Sequence, residues 1–198
     1  MGFDLKYIDG QTPLDEDEKE GLLIPTIATR AELDEFEQQN IEDAIQWALL
    51  RPLNVDKIFT EQFIQNLHVQ MYGNVWDWAG SFRRTNKNLG VDKWLIPTSL
   101  KALLDDAKYW VKNQTYASDE IAIRFKHKLV CIHCFPNGNG RHSRLMADII
   151  ADKIYKLPVY SWGANNLVQE SETRTKYITA VKEADKNNYE PLLLFARS

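Results

Sequence analysis

Apolar residues recur at helical spacing through most of the chain. At 100° per residue, Leu33, Phe36, Ile41, Ala44, Trp47 and Ala48 share one arc, predicting a helix over 30–50 that stops before Pro52. Thr29 and Glu32 have the spacing of a capping box, in which each side chain satisfies the other residue's free backbone N–H. A second helix is predicted over about 55–72, ending at Gly73-Asn74. Between Trp76 and Pro97, aromatics flank the turn Asn86-Lys-Asn-Leu-Gly90, which predicts a β-hairpin or extended flap. Helices follow at about 98–113, 119–132 and 139–156, the last with a stripe of Leu145, Ile149, Ile150 and Ile154. A loop over 158–166 leads to helices at about 168–186 and 190–197. Residues 1–28, rich in Asp, Glu, Gly and Pro, read as an irregular arm, and the fold as mostly α.

One position breaks the first helix's pattern. Glu37 falls inside the apolar arc, between Leu33 and Ile41, with Asn40 beside it. A carboxylate on a packed face is costly unless a cation pairs with it, so a basic partner is expected there.

Composition narrows the class. The 198 residues suffice for one domain with a sizeable core. A net charge of -4 gives no sign of a nucleic-acid binder, and no run approaches the ~18 apolar residues of a membrane span. The acidic first residues lack the layout of a signal peptide, so a cytoplasmic protein is expected, with export by a route that reads no such signal left open. Cys131 and Cys134 form a C-x-x-C pair with three readings. These are a redox pair, a zinc site recruiting His127, His133 or His142, and two reduced thiols packed beside a loop, the ordinary case.

The chemistry concentrates in His133-Cys-Phe-Pro-Asn-Gly-Asn-Gly-Arg-His-Ser-Arg144. Gly138-Asn139-Gly140 lies just before a predicted helix, whose N-terminus offers unpaired N–H groups and the positive end of the macrodipole to an anion. Glycines let the backbone approach a phosphate closely. Arg141 and Arg144 are three residues apart and share a helix face. His133, at the other end of the loop, has the chemistry of a general base. Together they read as a phosphate cradle with a base at its rim, where Asn139 holds phosphate or orients the loop.

These residues resemble the Fic family motif His-x-Phe-x-(Asp/Glu)-Gly-Asn-Gly-Arg-x-x-Arg, matched by His133, Phe135, Gly138, Asn139, Gly140, Arg141 and Arg144. The resemblance covers about 55–197, including Trp78-Ala-Gly-Ser-Phe82, Arg174-x-x-Tyr177, Ala184-Asp185 and Pro191-Leu192. Within the Fic/Doc superfamily the chain is similar to a bacterial branch found near mobile elements. The resemblance implies a Fic-type helical bundle over 55–198 with a small β-hairpin flap, preceded by an arm and inhibitory helix over 1–54. It implies transfer of AMP from ATP, with Mg²⁺, to a hydroxyl of a target protein, and self-modification. His133 would deprotonate that hydroxyl, Gly138, Asn139 and Gly140 would hold the α- and β-phosphates, and Arg141 and Arg144 the β- and γ-phosphates. Lys93, Trp94 and Leu95 would clamp the target on the flap, while Asn166 and Tyr177 would line the nucleoside pocket.

The chain also departs from the family. Asn137 replaces the acidic Mg²⁺ ligand and brings an amide oxygen without charge. The family's inhibitory glutamate pairs with the second motif arginine, here Arg144. Glu37 would be that brake by helix phase alone, since Leu33 and Gln38 do not fit the inhibitory signature. The other reading is a rim glutamate bridging elsewhere. Rival functions are a kinase-like or other-nucleotide relative, which Gly138 and Gly140 disfavour, and a nucleotide-binding module that has lost turnover. Arg83, Arg84 and Lys87 read as a solvated charge run or a steering patch for an acidic partner. His142 is expected to be exposed, and His68 and His127 to be ordinary helical histidines.

Overall fold

The structure, a computed structural model, describes residues 13–163 and 170–198. Nine helices occupy them: α1 (Glu16–Glu20), α2 (Arg30–Leu49), α3 (Val55–Ile58), α4 (Glu61–Tyr72), α5 (Ile96–Asn113), α6 (Ser118–Ile132), α7 (Asn139–Tyr155), α8 (Glu170–Asp185) and α9 (Glu190–Arg197). The mostly helical expectation holds. The capping box opens α2 as its spacing predicts: Glu32 N–H donates to Thr29 Oγ1 at 3.2 Å, and Thr29 N–H to Glu32 Oε2 at 2.9 Å. The helix expected over 55–72 is instead two, because Thr60 caps a new start and accepts from Phe63 N–H at 3.1 Å. Part of the N-terminal arm is helical too, since Glu16–Glu20 form α1.

The centre is the α6–α7 pair, with α5 against α6 and α2 packed chiefly on α4. Ala122, Ile123, Phe125, Met146, Ala147 and Ile150 are fully buried between these layers. On α2 the buried residues are Leu33, Glu37, Asn40, Ile41, Ala44 and Ala48, so the sequence phase places Glu37 correctly. Phe36, assigned to the same arc, is 45% exposed, because the packed stripe is narrower than the arc drawn from the sequence. Two contacts tie α2 to α7: Glu37 to Arg141, and the Lys153 ammonium to the Leu49 carbonyl at 2.6 Å. Both span the same sequence separation, so the helices run parallel and in register over about 18 Å.

The expected β-hairpin between Trp76 and Pro97 does not form. The segment is a chain of turns closed by a 3₁₀ turn at Lys93–Leu95. The backbone N–H groups of its two arms bond to the α6–α7 corner rather than to each other's carbonyls: Arg83 N–H donates to Cys134 O at 2.9 Å, and Val91 N–H to Ile132 O at 3.3 Å. The Arg83 guanidinium fills the space between the arms, donating to the carbonyls of His133 (2.6 Å), Thr85 (2.8 Å) and Val91. Lys87 is held by Asp15 at 2.8 Å and Glu18 at 2.5 Å. Arg83 and the Lys87 side chain are buried and structural, which replaces the expectation of a solvated or steering charge for those two, while Arg84 is exposed as a solvated charge would be. No described helix is long and apolar enough to cross a membrane.

Candidate active site

The site forms where α6 ends and α7 begins. His133 terminates α6 in the left-handed region (φ 57°). It is buried, and its pKa is lowered to about 4, chiefly by loss of hydration and then by the Arg83 guanidinium; a hydrogen bond to the Val130 carbonyl opposes the shift. One ring nitrogen donates to that carbonyl, so the other is an unprotonated acceptor at neutral pH. The flap passes close to the base of the His133 side chain. A Cβ on Gly90 (φ 102°) would stand 2.6 Å from His133 Cβ, so only glycine fits this approach.

The loop to α7 is braced from within. Asn139 spends its whole amide on Phe135: Oδ1 accepts from Phe135 N–H at 3.0 Å and Nδ2 donates to Phe135 O at 2.8 Å. Of the two roles its side chain was given, loop orientation is the one the geometry supports. Gly138 adopts φ 76°, and a Cβ there would lie 2.5 Å from the Tyr72 ring. Gly140 has nothing within 4 Å of its Cβ position. The Gly140 side of α7's first turn is therefore open, leaving room for an anion at a helix N-terminus. Tyr72 Oη, buried beneath Gly138, has no hydrogen-bond partner among the described residues. Burial pushes its pKa up to about 12.

The two arginines diverge. Arg141 faces α2: its Nη2 meets Glu37 Oε2 at 2.6 Å, and Glu37 Oε1 accepts from Trp76 Nε1 at 2.7 Å. Arg144 turns toward α8, with its guanidinium 5.8 Å from the Tyr177 ring centre. The expected basic partner of Glu37 is present, but it is the first motif arginine and not Arg144. Three residues advance a helix by about 300°, so Arg141 and Arg144 point about 60° apart, and α2 lies on the Arg141 side.

Tyr177 accepts a hydrogen bond from the fully buried Lys126 ammonium at 2.6 Å. Asn166 lies outside the described residues. Asn137 Oδ1 accepts from Gly138 N–H at 2.6 Å, which turns the amide oxygen inward to brace the loop. With an uncharged and already engaged oxygen there, the residues present do not fit a Mg²⁺ ion held by the protein. On the flap, Trp94 is 78% exposed, Leu95 is also exposed, and the Lys93 ammonium stacks 4.9 Å from the Trp94 ring centre.

Sequence reasoning passed over the residues that hold this frame. His68 is fully buried, takes Gly80 N–H on Nδ1 at 3.0 Å and bonds through Nε2 to Asn137 O at 3.1 Å. That pairing fixes the Nε2–H tautomer, and burial lowers its pKa well below the usual imidazole value. It also stacks on Phe135 at 3.8 Å. His142, expected at the surface, is buried with its ring on Ile64 O at 3.0 Å. One residue beyond Arg141 is 100° further round α7, which turns His142 inward to α4. Lys126 and Arg83 had no local signal that would place them at the site, since Tyr177 and the His133 carbonyl lie 51 and 50 residues from them.

Residues 58–151 match the Fic/DOC family. Among solved structures, the chain is similar to BepC, a VirB-translocated Bartonella effector protein from Bartonella tribocorum solved with bound AMPPNP, at TM-score 0.67 and 16% identity over 92% of this chain and 97% of that one. The N-terminal Fic domain of a Bep effector from Bartonella quintana, solved with bound ADP, gives 0.65 and 18% over 87% and 86%. Fic-1 from C. elegans gives 0.64 and 22% over 90% of this chain, which spans only 50% of that one. With the motif assembled at the α6–α7 corner and the match over residues 58–151, the chain carries a helical domain of the Fic/DOC family.

Proposed function

We propose that the protein transfers AMP from ATP to a hydroxyl side chain of a target protein, and to itself. The observation that carries this reading is a desolvated imidazole at the end of α6, one short loop before the α7 N-terminus, where the space beside Gly140 is open. The N–H groups at the start of α7, over Asn139, Gly140 and Arg141, suit the α- and β-phosphates. Arg144, and Arg141 once released, suit the charge that grows on departing pyrophosphate. His133 takes the hydroxyl proton as oxygen attacks the α-phosphorus. The low pKa keeps His133 unprotonated, and incoming polyphosphate charge offsets Arg83 and raises its basicity as substrate arrives. Mg²⁺ would be carried by the ATP phosphates, and none of these steps is routed through it. Trp94, with Lys93 and Leu95, would offer the target an exposed edge on the flap. Tyr177, whose ring centre lies 5.8 Å from the Arg144 guanidinium, would line the nucleoside pocket.

Glu37 would restrain the reaction by occupying Arg141. Among related chemistries, γ-phosphoryl transfer is disfavoured by Gly138 and Gly140, which leave the backbone open to two phosphates in succession. The test uses ATP labelled at the α- or γ-phosphate with lysate and with the protein alone, for wild type, Glu37→Gly and His133→Ala. Protein label from the α-position only, lost in His133→Ala, is expected. Label from the γ-position would refute AMP transfer. ATP binding without label would make the domain a binding module.

A further inference from the structure

A second cluster lies on the face of α6 that the active site does not use. His127 and Cys131 are one turn apart on that helix, so both side chains project the same way. Asp185, the last residue of α8, meets them. The three donor atoms lie within 4.8 Å of one another. Cys131 Sγ is 3.5 Å from His127 Nε2 and 3.7 Å from Asp185 Oδ1, while His127 Nε2 is 2.8 Å from Asp185 Oδ1. A tetrahedral zinc site with Zn–S of about 2.3 Å and Zn–N or Zn–O of about 2.0–2.1 Å has S···N and S···O edges of about 3.6 Å and an N···O edge of about 3.3 Å. Both sulfur edges match. The nitrogen–oxygen edge is shorter by the contraction expected of two groups hydrogen-bonded to each other, and a rotation of the exposed Asp185 carboxylate would lengthen it.

The surroundings fit the same chemistry. All three residues line a cavity of about 360 Å³, which Asp106 on α5 and Lys128 also border. A fourth position therefore faces water. Tyr189 Oη lies 3.4 Å from His127 Nδ1, placed to accept the N–H that an imidazole bound through Nε2 must carry there. A thiolate and a carboxylate supply two negative charges, and Asp106 offsets Lys128. The thiols of the C-x-x-C pair part company here: Cys134 is buried, whereas Cys131 is exposed. The motif thus sends one thiol to the core and one to this cluster.

We infer that His127, Cys131 and Asp185 form a binding site for a thiophilic divalent cation of the zinc class, with water as fourth ligand. The imidazole, thiolate and carboxylate together favour zinc over magnesium or calcium. The ion would join the last turn of α6, two residues before His133, to the end of α8, the helix that carries Tyr177. It would be a structural clip, separate from the phosphate cradle, and its presence does not depend on which group the active site transfers.

The test is a titration of the full, tag-free, phosphine-reduced chain with Co²⁺, read by absorption and followed by Zn²⁺ competition. A single-site thiolate-to-cobalt charge-transfer band with tetrahedral d–d bands is expected, displaced by Zn²⁺. Cys131→Ser should abolish the charge-transfer band, Asp185→Asn should weaken binding about 10-fold or more, and Cys134→Ser should change neither. Saturating Zn²⁺, at about 100 times its Kd, should raise the wild-type melting temperature by roughly 5–10 °C. No charge-transfer band in the wild type would overturn the site, as would a band that survives Cys131→Ser and disappears in Cys134→Ser. Should Cys131→Ser fail to fold by circular dichroism, Asp185→Asn, at an exposed helix end, decides: unchanged cobalt affinity overturns the assignment.

Discussion

Replacing Glu37 by Gln isolates the charge of the α2–α7 contact. The amide keeps an oxygen for Trp76 Nε1 and loses the ion pair with Arg141. The Glu37 side chain is 5% exposed and that of Arg141 31%, so the pair is buried on one side and half-solvated on the other. Breaking a fully buried pair costs about 3–5 kcal/mol. Because Arg141 can rehydrate, about 1–2 kcal/mol is expected here, or roughly 2–8 °C in melting temperature for a chain this size. Nucleotide affinity should move the other way. An arginine already bonded to a carboxylate must give up a charge-assisted hydrogen bond worth about 1.5–3 kcal/mol before it meets phosphate. Removing that competitor should tighten binding of a non-hydrolysable ATP analogue about 10- to 100-fold. Calorimetric titration of wild type, Glu37→Gln, Arg141→Gln and the double variant forms a cycle in which the gain should vanish once Arg141 is gone. A destabilised Glu37→Gln with unchanged or weaker affinity would refute the reasoning, because it would show that phosphate does not compete for Arg141.

Acid should destabilise the fold through its buried histidines. His133 and His142, with pKa values lowered to about 4, stay neutral in the folded state while their unfolded forms take protons below about 6.5, so each withdraws up to about 3 kcal/mol as pH falls from 6.5 to 4. Asp148, raised by burial to about 6, has the opposite sign: its contribution is complete below its ordinary value near 4 and lost as pH rises through 6, so acid returns about 3 kcal/mol. The net loss should appear as a fall in melting temperature between pH 6.5 and 4, and a flat profile there would show that the histidines are not held neutral. Arg83→Met should move His133 upward toward an ordinary imidazole pKa by histidine NMR, besides loosening the flap; an unmoved His133 would leave burial as its only cause. Gly138→Ala combines a left-handed φ, worth about 1–2 kcal/mol, with a methyl 2.5 Å from the Tyr72 ring, and should lower the melting temperature by several degrees and weaken analogue binding. Tyr72→Phe removes a buried hydroxyl without a partner and should leave stability unchanged or raise it by about 1 kcal/mol.

The sequence was most informative where chemistry is local. Thr29 and Glu32 are three residues apart, and the phase of α2 placed Glu37 on its packed face without any knowledge of Arg141. The run from His133 to Arg144 is contiguous, so its residue types could be read together. Long-range pairing was hidden. Which arginine meets Glu37 depends on the side of α7 against which α2 packs, and His68, Lys126 and Arg83 each reach the site through a partner 50 or more residues away. The flap was misjudged for a related reason. Its turn residues and aromatics suit a hairpin, yet the hydrogen bonds that would pair its arms go to Ile132 and Cys134.

The parallel docking of α2 on α7 has a consequence for concentration. Were phosphate to displace Glu37 from Arg141, the Lys153–Leu49 contact at the far end could persist, and the carboxylate would stay tethered within reach of the site it left. Its return is an intramolecular event whose effective molarity is set by the helix and not by the amount of protein. Dilution would therefore leave the occupancy of this contact unchanged, whereas restraint by a separate subunit would fade as the partners dissociated.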